Sequence, residues 1–532
     1  MSQPVIFEHG IVATSHPSAA QVGVDVLRAG GNAIDAAVAT NAAIGLMEPM
    51  SCGIGGDLFA IVWDAKRRKL LGLDASGRSP YAATLELFRD QQLDFIPKHG
   101  PLSWSVPGCV DGWHELLGRF GTRPLAELLA PTIAAAESGV ATPPVIAAGW
   151  IEAEPFLRET PEAAATYLVN GNAPREGQVF SNPRLAQTYR RLAEGGRDAF
   201  YRREIARRIV EYSRSVGGLF KMQDFENHRS VWVDLASTSY RGYDVWEIPP
   251  PGQGITVLQM LNLLEGYDLA SMGPDSADWW HLFVEAKKLA YADRARFYCD
   301  PDFHDVPLAR LTSKAYADER RARIDPHRAA DDCRAGGMTS DTIYLCVVDR
   351  DRNCVSLIQS IYDGFGSRHV AGDLGFALQN RGTLFALDPG HANCLRPHRR
   401  PFHTIIPGFV TRGGEPYFVF GVMGGDMQPQ GQVQVLINHL DFGMNVQEAG
   451  DAPRIQHFGS ATPTGRPHRG AGEVLAEPGI AQAVLDELSA RGHPVGRTPK
   501  NPGGYQGILI DRERGLLQGA SESRRDGRAI GY

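Results

Sequence analysis

Residues 340–361 read Ser340-Asp341-Thr342-Ile343-Tyr344-Leu345-Cys346-Val347-Val348-Asp349-Arg350-Asp351-Arg352-Asn353-Cys354-Val355-Ser356-Leu357-Ile358-Gln359-Ser360-Ile361. Two runs are rich in β-favouring residues: Ile343 to Val348 is wholly apolar, and Cys354 to Ile361 is apolar except at Ser356, Gln359 and Ser360. The Asp/Asn-rich stretch between them has turn chemistry. Continuous apolar runs, as opposed to alternating ones, belong to strands covered on both faces. The stretch therefore predicts a buried strand pair, which Thr342 enters from a loop. Locally, Thr342 is a β-favouring residue beside a turn aspartate. A hydroxyl with no nearby His or Lys is a poor nucleophile, and the chain holds no GxSxG elbow or Ser-x-x-Lys pair.

Working outward, further β-like runs occur at Thr404 to Val410, Tyr417 to Val422 and Gly507 to Ile510, with helices expected at Gln432 to Leu440, Val446 to Asp451 and Ile480 to Arg491. Towards the N-terminus, Pro17 to Leu27 has helical spacing, and Asn32 opens a small-residue helix that runs to about Met47. The loop Ser51-Cys52-Gly53-Ile54-Gly55-Gly56-Asp57 precedes a strand at Leu58 to Trp63. Without a Lys-Ser/Thr ending, and placed before a strand, it reads as a tight backbone turn in preference to a phosphate cradle. The middle of the chain, Thr122 to Ile324, reads mainly as helix, clearest at Ala126 to Ser138, Asn182 to Ala193 and Ala277 to Tyr298. A Pro249-Pro250-Pro251-Gly252-Gln253-Gly254 loop breaks it before a helix near Thr256. Residues 325–337 are charged and Ala/Gly-rich, a composition suited to an exposed, mobile connection. Strands in the core with helices outside fit an α/β layered enzyme.

A chain of 532 residues with 43% apolar and 22% charged residues can bury a large core. Its formal charge of -7 argues against non-specific nucleic-acid binding. Seven cysteines without a CxxC pair read as reduced thiols, and no Cys or His spacing suggests a metal. With no signal segment or membrane-spanning tract, the expectation is a cytoplasmic protein with no membrane partner, no metal and no other cofactor.

A series of modest motifs in a common order carries more weight. They include Gly30-Gly31-Asn32-Ala33-Ile34-Asp35, Glu48-Pro49, Gly53-Ile54-Gly55-Gly56-Asp57 and Val106-Pro107-Gly108. Further on stand Pro249-Pro250-Pro251, Tyr291-Ala292-Asp293-Arg294, Thr342 with Val347-Val348-Asp349, Arg396-Pro397, Gly424-Gly425 and Asp451-Ala452-Pro453-Arg454. On these the chain resembles the γ-glutamyltranspeptidase family along nearly its whole length. The resemblance implies a four-layer αββα N-terminal-nucleophile hydrolase, made as a proenzyme and cut between Asp341 and Thr342. A large subunit, 1–341, and a small one, 342–532, would then form one αββα unit, with any higher oligomer left open. It also implies that Thr342 is the nucleophile, Ser360 a second hydroxyl supporting it, and Gly424-Gly425 a backbone oxyanion hole. A free α-amine titrates near pH 7.7–8, so about a tenth or more is neutral at pH 7; the freed amine of Thr342 would serve as its own base.

The chain departs from the family where a γ-glutamyl group would be held. Ser76 stands at the usual arginine position, with Arg78 two residues on. Leu384 replaces an acid, Arg399-Arg400 replace a serine pair, and Arg381 replaces an uncharged amide. These changes disfavour an ammonium and welcome a carboxylate. The expected substrate-binding residues are Arg78, Asn380, Arg381, Arg400 and His403, and the expected partner is a small anionic amide. Ser76-Gly77-Arg78, Gln379-Asn380-Arg381-Gly382 and Pro401-Phe402-His403-Thr404 resemble a divergent branch of hydrolases. That likeness implies hydrolysis of oxamate to oxalate and ammonia, a step of purine catabolism. A γ-glutamyl hydrolase or transferase, an acylase for longer dicarboxylic monoamides, and an uncleaved binding relative remain the alternatives.

Overall fold

The computed structural model describes residues 2–330, 342–466, 470–497 and 503–532. Two seven-stranded sheets form its centre. In the first, strands follow the order Ile11–Thr14, Ile343–Val348, Cys354–Ser360, Asp57–Asp64, Lys69–Ala75 and Val231–Val233, with Arg528–Gly531 on the far edge beside Ile11–Thr14. In the second, Leu516–Ser521, Gly504–Asp511, Glu415–Met423, Gly408–Arg412, Tyr243–Glu247 and Ala236–Tyr240 follow Val5–Phe7. All these pairings are antiparallel.

The expected hairpin is central to the first sheet, with Ile343 opposite Gln359 and Val348 opposite Cys354. Its apolar continuity has a direct cause. Tyr344, Cys346 and Val348 face the second sheet, where they pack with Phe409, Val419, Met423 and Ile508. Ile343, Leu345 and Val347 face the opposite way, into a core shared with the N-terminal helices. The helix Ala33–Met47 lies in that outer layer and is buried at every position, which accounts for its run of small residues. Asn32 and Asp35 close its start as a reciprocal capping box. On the outer face of the second sheet, Ile255–Leu264, Ala277–Phe297 and Met427–Leu440 form the other helical layer. The order of layers is therefore helix, sheet, sheet, helix.

The middle region is mainly helical, as expected, and it also holds short strands: Val231–Val233 edges one sheet, while Ala236–Tyr240 and Tyr243–Glu247 edge the other. These strands are short and half exposed, so they lack the apolar continuity of the central hairpin. The strand expected from Thr404 begins only at Gly408. Pro407 has no N–H, and the N–H groups of Ile405 and Ile406 go to the side chains of His403 and Gln428. In the expected connection, residues 325–328 and 330 are exposed, but its end is pinned. Ala329 is buried and donates to the Arg491 carbonyl at 2.8 Å, while Lys288 donates to the Ala330 carbonyl at 3.0 Å. Residues 331–337 of that connection, and Asp341, lie outside the described residues.

Candidate active site

Thr342 sits immediately before the strand Ile343–Val348 and is 2% exposed. Its hydroxyl donates to Ser360 Oγ across 3.3 Å. The antiparallel register produces this meeting: Ile343 pairs with Gln359, so the residues one step beyond each strand position come together. Ser360 Oγ also accepts the Tyr362 N–H at 2.8 Å. Tyr362 adopts φ 81°, a left-handed conformation unusual for an aromatic residue and a form of strain associated with functional sites.

The glycine-rich loop before Asp57 buttresses this corner. Gln359 donates to the Gly53 carbonyl at 2.6 Å and accepts the Gly53 N–H at 2.8 Å. A Cβ at Gly56 would lie 2.2 Å from the Ser360 carbonyl oxygen, so only glycine lets the loop approach so closely. The loop is a packing device against the strand that ends in Ser360.

Gly424-Gly425 lies between the strand Glu415–Met423 and the helix Met427–Leu440. Both glycines have positive φ, 115° and 58°. Their carbonyls are engaged by Met427 N and Gln428 N, and Gln253 Nε2 also donates to the Gly425 carbonyl at 2.9 Å. The turn thus leaves its two N–H groups outside these bonds at the start of a helix, where the helix dipole favours developing negative charge. Gln428, in the first turn of that helix, donates to Thr342 Oγ1 at 3.4 Å and accepts the Ile406 N–H at 3.0 Å. Sequence reasoning missed Gln428; its place in the run Met427-Gln428-Pro429-Gln430 was the available signal.

Beside the glycine turn, Tyr362, Leu384, Phe402, Thr404, Gly425, Asp426 and Thr462 line a cavity. The free space at its centre is about 10 Å³, roughly that of one water. Arg381 lies behind this wall, completely buried. Its guanidinium stacks 4.6 Å from the Tyr362 ring centroid and donates from Nη1 to Thr404 Oγ1 at 2.7 Å. Nε and Nη2 have no partner. Burial lowers its pKa to about 10, against the pull of Asp57 and Tyr362.

The other expected binding residues are placed differently. Arg400 bonds Asp302 at 2.9 Å and Asp300 at 3.3 Å, with Asp74 3.9 Å away. Arg78 pairs with the same Asp302 at 3.3 Å. Neither lines the cavity. Asn380 donates to the Lys98 carbonyl at 2.7 Å and accepts the Asp363 N–H at 3.2 Å, which pins the loop preceding Arg381. His403 is buried and hydrogen bonds Asp57 at 3.0 Å. Arg399 donates to the carbonyls of Cys394 and Ala392 at 2.8 and 2.6 Å.

Of the expected residues, the fold therefore brings Thr342 and Ser360 together, ties Thr342 through Gln428 to the helix that follows the glycine turn, and sets Arg381 behind the cavity that Gly425 helps to line. It ties Arg78 and Arg400 into a separate acidic network. His281, Glu285 and His493 also cluster, from segments far apart in the chain. Within this cluster His281 bonds His493 and the Asp325 carbonyl, and Glu285 pairs with Lys288, while His493 Nδ1 has no partner.

A threonine hydroxyl at a strand start, bonded to a second hydroxyl and to Gln428 from the helix that follows a glycine turn, between two sheets covered by helices, fits an amide hydrolase of the N-terminal-nucleophile class. The family model described as Gamma-glutamyltranspeptidase matches residues 19–532, and the chain belongs to that family. It is 37% identical over 538 residues to the "Glutathione hydrolase-like YwrD proenzyme" of Bacillus subtilis (strain 168), covering 100% of both chains. It is 34% identical to the "Oxamate amidohydrolase proenzyme" of Klebsiella pneumoniae, covering 98% of each. The crystal structure of cephalosporin acylase from Bacillus halodurans superposes with a TM-score of 0.93 at 40% identity, covering 100% of this chain and 97% of that one.

Proposed function

We propose that this enzyme makes its own nucleophile by cleavage between Asp341 and Thr342, and then hydrolyses a small amide that carries a carboxylate. Relatives described as proenzymes support the first part. In processing, the Thr342 hydroxyl attacks the Asp341 carbonyl carbon, the acyl group shifts from nitrogen to oxygen, and water hydrolyses the ester. The products are subunits of residues 1–341 and 342–532 and a free α-amine on Thr342. In turnover that amine takes the Thr342 hydroxyl proton, directly or through a water, and the oxygen attacks the substrate carbonyl. The N–H groups of Gly424 and Gly425 meet the developing oxyanion, and the proton passes to the leaving amine. Water then releases the acid.

The observation that carries the substrate class is Arg381, a buried guanidinium beside the cavity with two unspent nitrogens. A planar fork of this kind binds carboxylates well. Leu384, in the cavity wall, offers no counter-charge to an ammonium. Oxamate, converted to oxalate and ammonia, carries the carboxylate and lacks the ammonium, and so satisfies both features. One relative's name points the same way. Asp426 favours a second reading, a γ-glutamyl hydrolase, because it places a carboxylate in the same wall. That carboxylate already accepts from Arg294 at 2.7 Å. The test is a comparison of ammonia release from oxamate with p-nitroaniline release from a γ-glutamyl anilide by the cleaved enzyme. Faster turnover of the anilide would overturn oxamate as the substrate.

A further inference from the structure

Away from the catalytic residues, a groove of about 430 Å³ opens between the end of the helix Ala277–Phe297 and the short helices Leu308–Leu311 and Lys314–Arg321. That volume is enough for a small organic ligand. Four arginines line it, Arg296, Arg310, Arg320 and Arg323, against two carboxylates, Asp293 and Glu319. Both carboxylates are engaged. Asp293 accepts from Gln259 at 2.9 Å and from Tyr316 at 3.1 Å, and pairs with Arg320 at 3.3 Å. Glu319 meets Arg310 at 3.5 Å, an exposed pair that contributes little in water. Arg296 and Arg323 are exposed, and their side chains make no hydrogen bond or ion pair among the described residues. The Arg296 guanidinium lies 4.9 Å from the Phe297 ring centroid. Arg320, mostly buried, donates to the Leu289 carbonyl at 2.9 Å but has no partner for Nε.

We propose that this groove is an anion-binding site, separate from the catalytic one, for a small molecule bearing two or more phosphate or carboxylate groups. In a chain of net charge -7, its lining carries an excess of two positive charges. The carbonyl end of Ala277–Phe297 offsets about half a unit of that, so the excess survives. Two unspent guanidinium groups suit two anionic groups, because each binds one phosphate or carboxylate in a planar fork. A single carboxylate would leave one of them unanswered. Among the described residues, none lines both the groove and the cavity beside the glycine turn. The two still meet through one helix. Arg294, two residues before Arg296, donates to the Asp426 carboxylate at 2.7 Å, and Tyr291 donates to the Asp426 carbonyl at 2.5 Å. An occupant of the groove therefore rests on the helix that holds Asp426 in the cavity wall.

Isothermal titration of the enzyme with inorganic pyrophosphate and with citrate tests the site, and the tighter of the two separates phosphate from carboxylate chemistry. One equivalent should bind, at least about tenfold more tightly than orthophosphate or acetate, which present a single group. Arg296→Ser/Arg323→Ser should weaken binding at least about tenfold, with Tm close to wild type because both side chains are exposed. Arg512→Ser/Arg514→Ser removes two exposed charges elsewhere and should bind as wild type does. Equal affinity for single-group and multi-group anions would overturn the ligand class. Undiminished binding by Arg296→Ser/Arg323→Ser, equal weakening in Arg512→Ser/Arg514→Ser, or no binding to wild type at millimolar pyrophosphate and citrate would overturn the site. Competitive inhibition of amide hydrolysis that persists in Arg296→Ser/Arg323→Ser would place the anion in the catalytic cavity instead.

Discussion

The Thr342 hydroxyl donates to the Ser360 hydroxyl across 3.3 Å, and Ser360 in turn stands opposite Asp57 in the neighbouring strand. Thr342, Ser360 and Asp57 thus occupy adjacent places across three strands of one sheet. Strand register, which tolerates no half-steps, sets their spacing.

The first prediction concerns the nucleophile. Thr342→Ala should give a single full-length chain on a denaturing gel, whereas wild type should give two bands, the smaller beginning Thr-Ile-Tyr-Leu. Thr342→Ser keeps the hydroxyl and the amine and should still be cut. An intact wild type with full amidase activity would remove Thr342 as nucleophile.

Ser360→Ala removes one hydroxyl partner of Thr342 and leaves the Tyr362 N–H without its acceptor. An unmet buried donor costs about 1–3 kcal/mol, so the variant should fold with a modestly lower Tm. Its kcat should fall by about 10–100-fold with little change in KM, since hydroxyl alignment matters most in the transition state. Steady-state kinetics on cleaved protein check the split.

How much of this was legible in the sequence depends on how the information is stored. The hairpin was readable because its residues are buried on both faces, which gives one unbroken apolar run and a second, mostly apolar one on either side of a turn. The capped helix from Ala33 was readable because Asn32 and Asp35 are local signals. The edge strands Val231–Val233 and Ala236–Tyr240 lack such runs and went unseen. Thr404 to Pro407 looked like strand but gives its N–H groups to side chains, a choice made by tertiary contacts. Gln428 and the Asp57–His403 pair depend on contacts between segments far apart in the chain, which spacing does not reveal. The arginines divide in the same way: their presence was visible, but not that Arg400 answers three aspartates while Arg381 stacks on Tyr362 behind the cavity wall.

That division gives a prediction of its own. Arg400→Ala should leave Asp74 and Asp300, both buried, without their cation. Removing one partner of a buried ion pair costs about 3–5 kcal/mol, so Tm should drop while KM for the substrate stays within about twofold in protein that remains folded. A large rise in KM would bring Arg400 back into the binding site.

Gly424→Ala tests the oxyanion turn. At φ 115° an L side chain is strained, and the added Cβ would lie 3.1 Å from the Gly503 Cα and 3.3 Å from the Met427 Cβ. The turn must shift, and with it the N–H groups proposed to meet the oxyanion. Loss of one oxyanion donor typically lowers kcat by about 10²–10³. Because the same oxyanion forms when Thr342 attacks the Asp341 carbonyl, self-cleavage should slow as well. The expected result is a preparation enriched in full-length chain, whose cleaved fraction shows a depressed kcat and a near-normal KM. Normal processing with an isolated rise in KM would instead assign Gly424 to substrate binding, because a ground-state contact would be lost and the transition-state contact retained.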